Sequence, residues 1–248
     1  MTLIINVISL ERSVRRREVF SQLNGHIEFE YFNAVDGSAI TRQMIESSKL
    51  FQDSLPYSSG AYGCALSHLA LWDKAINEDC VVTVAEDDAV FRFDFVAQSS
   101  RIIHEMPSDW DIILWGWNFD SILSISVMPG VSPVVAVFNQ DQLRVSVDNF
   151  QNLEQNACTF RLDKCLGMPA YSISPVGASK FKSLCFPLAN FNLYFPLLNR
   201  SLPSKGIDIA MNRVYKTTNS YCSFPPLVIT KNEHSHSTIH GSPPLEIQ

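Results

Sequence analysis

The segment Val81-Val82-Thr83-Val84-Ala85-Glu86-Asp87-Asp88-Ala89 constrains this chain more than any other. Its first half is apolar and rich in β-formers, the pattern of a buried strand whose end is fixed. That strand delivers three consecutive carboxylates, Glu86, Asp87 and Asp88. Adjacent like charges near a protein surface repel by on the order of a few kcal/mol unless something positive sits among them. Two readings stand here: a turn or helix cap, or hard oxygen ligands for Mg²⁺ or Mn²⁺ that also hold a phosphate-bearing substrate. Val90, Phe91, Phe93 and Phe95 follow at once. The triplet is therefore an acidic island rather than a solvated charge run, which favours the cation.

The acidic strand belongs to an alternating series. Thr2 to Ser9 reads as a buried strand, Ser13 to Leu23 as a helix, Ile27 to Val35 as a strand and Thr41 to Phe51 as a helix. A longer helix over Ala61 to Glu78 places Ala65, Leu69, Trp72 and Ile76 on one face. Phe95 to Met106 reads as a helix and Asp111 to Trp115 as a strand. This alternation predicts an α/β chain with a mostly parallel sheet flanked by helices and ligands at the carboxyl ends of its strands. Beyond it, Val131 to Phe138 and Gln142 to Val147 suggest a hairpin or two strands separated by Asn139-Gln140-Asp141, and Asn149 to Asn156 a loop. Leu166 to Ser174 reads as a strand, with Pro175 opening a helix through about Leu184. Pro187 to Ser204 reads as a lid or acceptor-side loop. At 248 residues and 46% hydrophobic, with no linker visible, a single domain with a sizeable core is expected.

Two further groups fall at the same sheet edge. Ser9-Leu10-Glu11-Arg12 follows the first strand, and with Arg15, Arg16 and Arg17 it is the densest positive stretch; Asp36-Gly37 follows the second. Singly, the arginines are a solvated helix face and Asp36-Gly37 a turn. A net charge of −6 and the lack of a basic stripe argue against a nucleic-acid partner. No window offers the roughly 20 apolar residues of a membrane span, and Met1 to Leu10 lacks the basic start and cleavage site of a signal peptide, so a cytoplasmic chain is expected. The six cysteines show no CxxC spacing and read as mostly buried thiols.

Taken in order, these motifs resemble glycosyltransferase family 25, which includes bacterial lipooligosaccharide galactosyltransferases. The resemblance is carried by Ile5-Asn6-Val7-Ile8-Ser9-Leu10-Glu11-Arg12-Ser13 with Arg16-Arg17, by Asn33-Ala34-Val35-Asp36-Gly37, and by Gly60-Ala61-Tyr62-Gly63-Cys64-Ala65-Leu66-Ser67-His68. Glu86-Asp87-Asp88-Ala89 and the stretch from Gly167 to Ala178 complete it, so that it covers roughly residues 3 to 240. It implies a GT-A-type, Rossmann-like fold, a UDP-sugar donor, Mn²⁺ or Mg²⁺, and inverting transfer of galactose, or alternatively glucose, onto a lipooligosaccharide glycan. A nucleotide-sugar-binding half over about residues 1–120 and an acceptor-side half with a C-terminal tail over about 121–248 follow from it.

The residues the resemblance places at the donor are Ser9, Leu10, Arg12, Arg16, Asp36, Gly37, Ser67, His68, Glu86 and Asp87. Asp88 and Glu86 are the expected metal ligands, although the first acid here is Glu rather than Asp, and His236 from the run Glu233 to His240 is a third. The ordinary alternatives are a satisfied core histidine for His68 and a frayed polar terminus for the tail. Inversion needs a general base. Asp208, in Lys205-Gly206-Ile207-Asp208-Ile209, resembles the family's proline-apolar-Asp step with Gly206 in place of the proline; otherwise it is a helix N-terminal acid. Trp115, Trp117, Tyr194, Phe195 and Asn199 are candidates for an acceptor platform or for core. A chain acting on a lipid-linked glycan would visit the inner membrane face. Two rival classes remain, a metal-dependent nucleotide-sugar hydrolase and a non-catalytic binding module, and neither a P-loop nor a second Asp/His metal cluster supports the first.

Overall fold

The structure, a computed structural model, describes residues 3–195 and 199–231. Strand β1 (Ile5–Ser9) leads through helix α1 (Val14–Asn24) to β2 (Phe29–Asn33). Side-chain caps set the next two helices: Thr41 accepts from Met44 N at the start of α2 (Arg42–Ser48), and Ser58 from Ala61 N at the start of α3 (Ser59–Asn77). Then come β3 (Val82–Glu86), β4 (Ala89–Phe91), α4 (Phe95–Glu105) and β5 (Ile112–Leu114). Strands β6 (Ile122–Met128) and β7 (Ser132–Val137), the short helices α5 (Gln140–Arg144) and α6 (Val147–Gln151), and β8 (Cys158–Lys164) follow. Strand β9 (Ala170–Ile173) runs into α7 (Pro175–Cys185), which opens on Pro175 and is capped by Ser174 accepting from Gly177 N. A hairpin of β10 (Asn192–Phe195) and β11 (Arg200–Pro203), helix α8 (Ile207–Met211), β12 (Ser220–Phe224) and β13 (Val228–Thr230) complete the described chain.

The fold is α/β, with a nine-stranded sheet in the order β2-β1-β3-β9-β5-β12-β8-β6-β7. Of its eight pairings, β1–β2, β1–β3 and β5–β12 are parallel and the other five antiparallel. The sheet is thus mixed, and its parallel character is concentrated where the sequence motifs lie. From β1 the chain moves to β2 on one side and later returns to β3 on the other, so strand order reverses at β1. That reversal opens a crevice at the strands' carboxyl ends, the usual ligand position in such sheets. The register aligns those ends, with Ser9 opposite Asn33 and Ile8 opposite Glu86.

Alternate side chains of each strand feed two cores. Val82, Val84, Ile112 and Leu114 pack with Trp72, Tyr171 and Phe181 on the α3/α7 face. Ala85 and Ile113 pack with Phe20, Phe91, Phe95 and Trp115 on the α1/α4 face. On α3, Ala65, Leu69 and Trp72 are buried as their spacing predicts, with Ile76 partly so.

Three expectations are corrected. Gln142 to Val147 is not a strand but the end of α5, a turn at Val145–Ser146 and the start of α6: Asn139 caps α5 by accepting from Gln142 N, Leu143 and Val147 are buried, and Val145 between them is 81% exposed. In a strand all three would share one face. The partner of β7 is β6, which the pattern had not shown. The loop expected over Asn149 to Asn156 begins inside α6, and the stretch from Pro187 to Ser204 contains the β10–β11 hairpin rather than an unbroken loop.

Candidate functional site

A cleft of about 210 Å³ opens at the carboxyl ends of β1, β2 and β3. Its lining includes Ser9, Leu10, Arg12, Arg16, Asp36, Gly37, Ser67, His68, Glu86 and Asp87, all ten residues the sequence places at the donor, together with Cys64, Ser38 and Ser59. A broader hollow of about 400 Å³ beside Ile4, Ile27 and Glu28 lies at the strands' opposite ends, away from this chemistry.

The loop after β2 is clamped onto α3 by close backbone contact. A Cβ on Gly37 would lie 1.8 Å from Ser59 O, and one on Gly63 would lie 2.4 Å from Val35 O and 2.7 Å from Gly37 N. The missing side chains are what let helix and loop share the cleft wall. Ser67 adds a tie, donating to Gly63 O at 2.7 Å and accepting from Val35 N at 2.9 Å. Asp36 caps the turn at Gly37–Ala39 by accepting from Ser38 N and holds Arg12 with both oxygens. That pair is exposed, so it adds little stability and remains available to a ligand.

The three carboxylates of the triplet do different things. Asp87 is engaged: Oδ2 accepts from Ser9 Oγ at 2.7 Å, and Oδ1 accepts from Arg16 Nε at 2.8 Å and from its terminal amine. Asp88 Oδ2 lies 3.5 Å from the same guanidinium, while Asp88 Oδ1 is buried with no hydrogen-bond partner among the described residues. Glu86 makes no side-chain hydrogen bond or ion pair there. Burial first, then Asp88, Asp208 and Asp87, push the Glu86 carboxyl well above its ordinary range. Burial also raises Asp88, against the pull of Arg16. A divalent cation would relieve this crowding, and Asp88 and Glu86 are the carboxylates with oxygens left for it. The donor set fits the hard ion that the sequence predicts.

His68 is buried and stacked on Tyr171, with Nδ1 2.8 Å from the phenol oxygen, which also accepts from Trp72 Nε1 at 2.9 Å. The other ring nitrogen, Nε2, is buried without a partner among the described residues. Burial pushes the imidazole down to about 4. Cys64, one turn earlier on α3, joins His68 and Glu86 in a group whose ligating atoms lie within 4.8 Å of one another.

Asp208 sits at the start of α8, where Oδ1 accepts from Ile209 N at 2.9 Å and Oδ2 from Gly167 N at 3.2 Å. It is half-buried, and its charge reaches Glu86 and Cys64. His236 lies outside the described residues, as does His234. Trp115 and Trp117 are wholly buried, Trp115 donating to Ser172 Oγ and Trp117 stacked on Phe119 and Phe224, so they are core rather than platform. Phe195 is also buried, while Tyr194 is exposed and donates to Asn199. Sequence reasoning passed over Cys64 and Tyr171 as site residues; the four-residue spacing of Cys64 and His68 was the available signal.

A crevice at the switch point of an α/β sheet, lined by Arg12, Arg16 and the Glu86 carboxylate, is the position at which such sheets take their ligands. Residues 3–191 match the family model for glycosyltransferase family 25, described as an LPS biosynthesis protein, and the chain belongs to that family. It is 28% identical over 126 residues to mouse procollagen galactosyltransferase 2, covering 45% of this chain and 20% of that protein. With human inactive glycosyltransferase 25 family member 3 it shares 32% over 144 residues, 50% of this chain and 24% of the relative. A Haemophilus influenzae protein whose name marks its glycosyltransferase assignment as provisional is 35% identical over 91 residues, 33% of this chain and 31% of that one. The chain thus spans about a fifth to a third of the length of these curated relatives. No helix among the described residues is long and apolar enough to cross a membrane.

Proposed function

We propose that this chain is a GT-A-type inverting hexosyltransferase that moves galactose from UDP-galactose to a lipooligosaccharide or LPS glycan, forming a β-1,4 linkage with Mn²⁺ or Mg²⁺. The observation that carries the reading is the cleft at the β1/β3 switch point, lined by the ten donor-site candidates, with Asp88 Oδ1 orphaned among the described residues just beyond the end of β3. Family membership and relatives named procollagen galactosyltransferases support glycosyl transfer and the choice of sugar. The finer terms of donor, linkage, acceptor and metal are part of the proposal.

Asp88 and Glu86 would hold the cation, with His236 as a further ligand. When bound, the cation supplies Lewis-acid stabilisation of the charge gathering on the departing diphosphate. Asp87, locked by Ser9 and Arg16, keeps the end of β3 in register rather than ligating. Arg12 and Arg16 line the cleft where the diphosphate would lie, and exchanging Asp36 for phosphate costs Arg12 little because that pair is exposed. Asp208 is the base: its carboxylate is oriented by two backbone N–H groups, and it would take the proton of the acceptor hydroxyl as that oxygen attacks the anomeric carbon from the face opposite the leaving group.

The relatives include members named inactive, which keeps the binding-module reading alive beside the enzyme. Incubation with UDP-galactose or UDP-glucose and Mn²⁺, with and without a lactose- or glucose-ended acceptor, separates the classes. UDP release only with acceptor is expected, faster from UDP-galactose. Release without acceptor would mean a hydrolase, and binding without release a module.

A further inference from the structure

We propose that Cys64, His68 and Glu86 form a site for one thiophilic divalent cation of the Zn²⁺ class in the wall of the cleft. Each residue offers one ligating atom, and these atoms lie within 4.8 Å of one another. Cys64 and His68 are four residues apart on α3 and so share a face, while Glu86 arrives from the end of β3. All three line the cleft.

The second observation is the orphaned ring nitrogen. His68 is completely buried, yet Nε2 has no hydrogen-bond partner among the described residues. The Tyr171 oxygen can accept from both Trp72 Nε1 and His68 Nδ1, the tautomer that leaves Nε2 with an unshared lone pair. In the other tautomer a buried Nε2–H donor goes unmet. A cation on Nε2 satisfies the first case and selects that tautomer over the second, and the Nδ1–phenol bond orients the imidazole as a supporting partner does in metal sites.

The donor set selects the ion. Thiolate and imidazole favour Zn²⁺ over Mg²⁺ or Ca²⁺, and three protein ligands leave the fourth position of a zinc site open. Binding transfers the Cys64 thiol proton to buffer and forms the metal–sulfur bond. The nearby acids Asp88 and Asp208 favour the cation electrostatically. One consequence rests on the transferase reading: an ion held here takes Glu86 from the donor's Mn²⁺, so Zn²⁺ opposes transfer.

The test uses the full chain stripped of metal, with no nucleotide or sugar present. Cd²⁺ is titrated while thiolate-to-metal charge-transfer absorption is followed, and Zn²⁺ affinity is measured against a chromogenic chelator. One equivalent with a saturating band is expected. Cys64→Ser should abolish the band and weaken Zn²⁺ by at least about ten-fold, the smallest loss usual even for a supporting group. Cys64→Ala repeats the test should the serine variant melt early without metal. Cys158→Ser, which removes an exposed thiol on β8 outside the cleft, should bind Zn²⁺ as the wild type does. A band or affinity untouched by both Cys64 substitutions would overturn the site. Zn²⁺ binding by a chain that shows no sugar transfer with Mn²⁺ in the absence of Zn²⁺ would sink the transferase reading alone, and transfer with Mn²⁺ by a chain that binds no Zn²⁺ would sink this site alone.

Discussion

Arg16 is the residue on which the acidic triplet depends, since its guanidinium forms the described ion pairs of both Asp87 and Asp88. Removing one partner of a fully buried pair costs roughly 3–5 kcal/mol; Arg16 is 30% exposed, which lowers the expectation. Arg16→Met should destabilise the protein by about 2 kcal/mol at neutral pH in urea titrations. Equal midpoints at neutral pH would contradict the pairing. Asp208→Asn should keep UDP and Mn²⁺ affinity and lose most transfer, read by calorimetry beside product formation; near-normal turnover would remove it as the base. Cys185 carries the clearest pH signature, because burial pushes its thiol up to about 12 from 9.0. The folded state then holds a proton that the unfolded chain gives up above pH 9, so stability is full below 9 and falls as pH rises towards 12. At pH 10.5 Cys185→Ala should have escaped about 2 kcal/mol of that alkaline loss, at 1.36 kcal/mol per unit. Parallel pH curves for the two proteins would refute it.

At the scale of elements, the clamp between α3 and the Asp36–Gly37 turn holds the cleft wall. Gly63→Ala places a methyl 2.4 Å from Val35 O, and neither the loop nor the helix can give way without opening the cleft. A loss of about 2–3 kcal/mol and of UDP binding is expected, and a thermal midpoint within a degree of wild type would contradict it. At the end of α5, Leu143→Ala should cost about 2 kcal/mol and Val145→Ala, just past the helix, almost nothing, because only the first is buried. These elements also show what the sequence could reveal. The ends of β1, β2 and β3 were legible because Ser9, Asp36 and Glu86 each directly follow an apolar run within a local βα alternation. Residues 142–147 were not, because Leu143, Val145 and Val147 satisfy both a period of two and a one-turn spacing, and burial alone decides between them. Cys64 looked like an ordinary helical thiol until folding brought Glu86 beside it, 22 positions away.

At the scale of the molecule, the α/β class followed from element order, whereas the pairing of the sheet did not. Strand β9 inserts antiparallel between β3 and β5, matching Ala85 with Ala170 and Leu114 with Tyr171, and such long-range partners leave no local trace. The same insertion carries Gly167 to Asp208 and brings that acid towards Glu86, although Asp208 lies beyond the matched residues 3–191 and lacks the preceding proline. The whole arrangement amounts to one claim, that the switch-point cleft holds a nucleoside diphosphate through a cation on Asp88 and Glu86. Calorimetric titration of UDP tests it most directly, with and without Mn²⁺, on the wild type and Asp88→Asn. UDP binding should need Mn²⁺ and weaken at least about ten-fold in the variant, about 1.4 kcal/mol or more. UDP affinity unchanged by Mn²⁺ and by the substitution would contradict it.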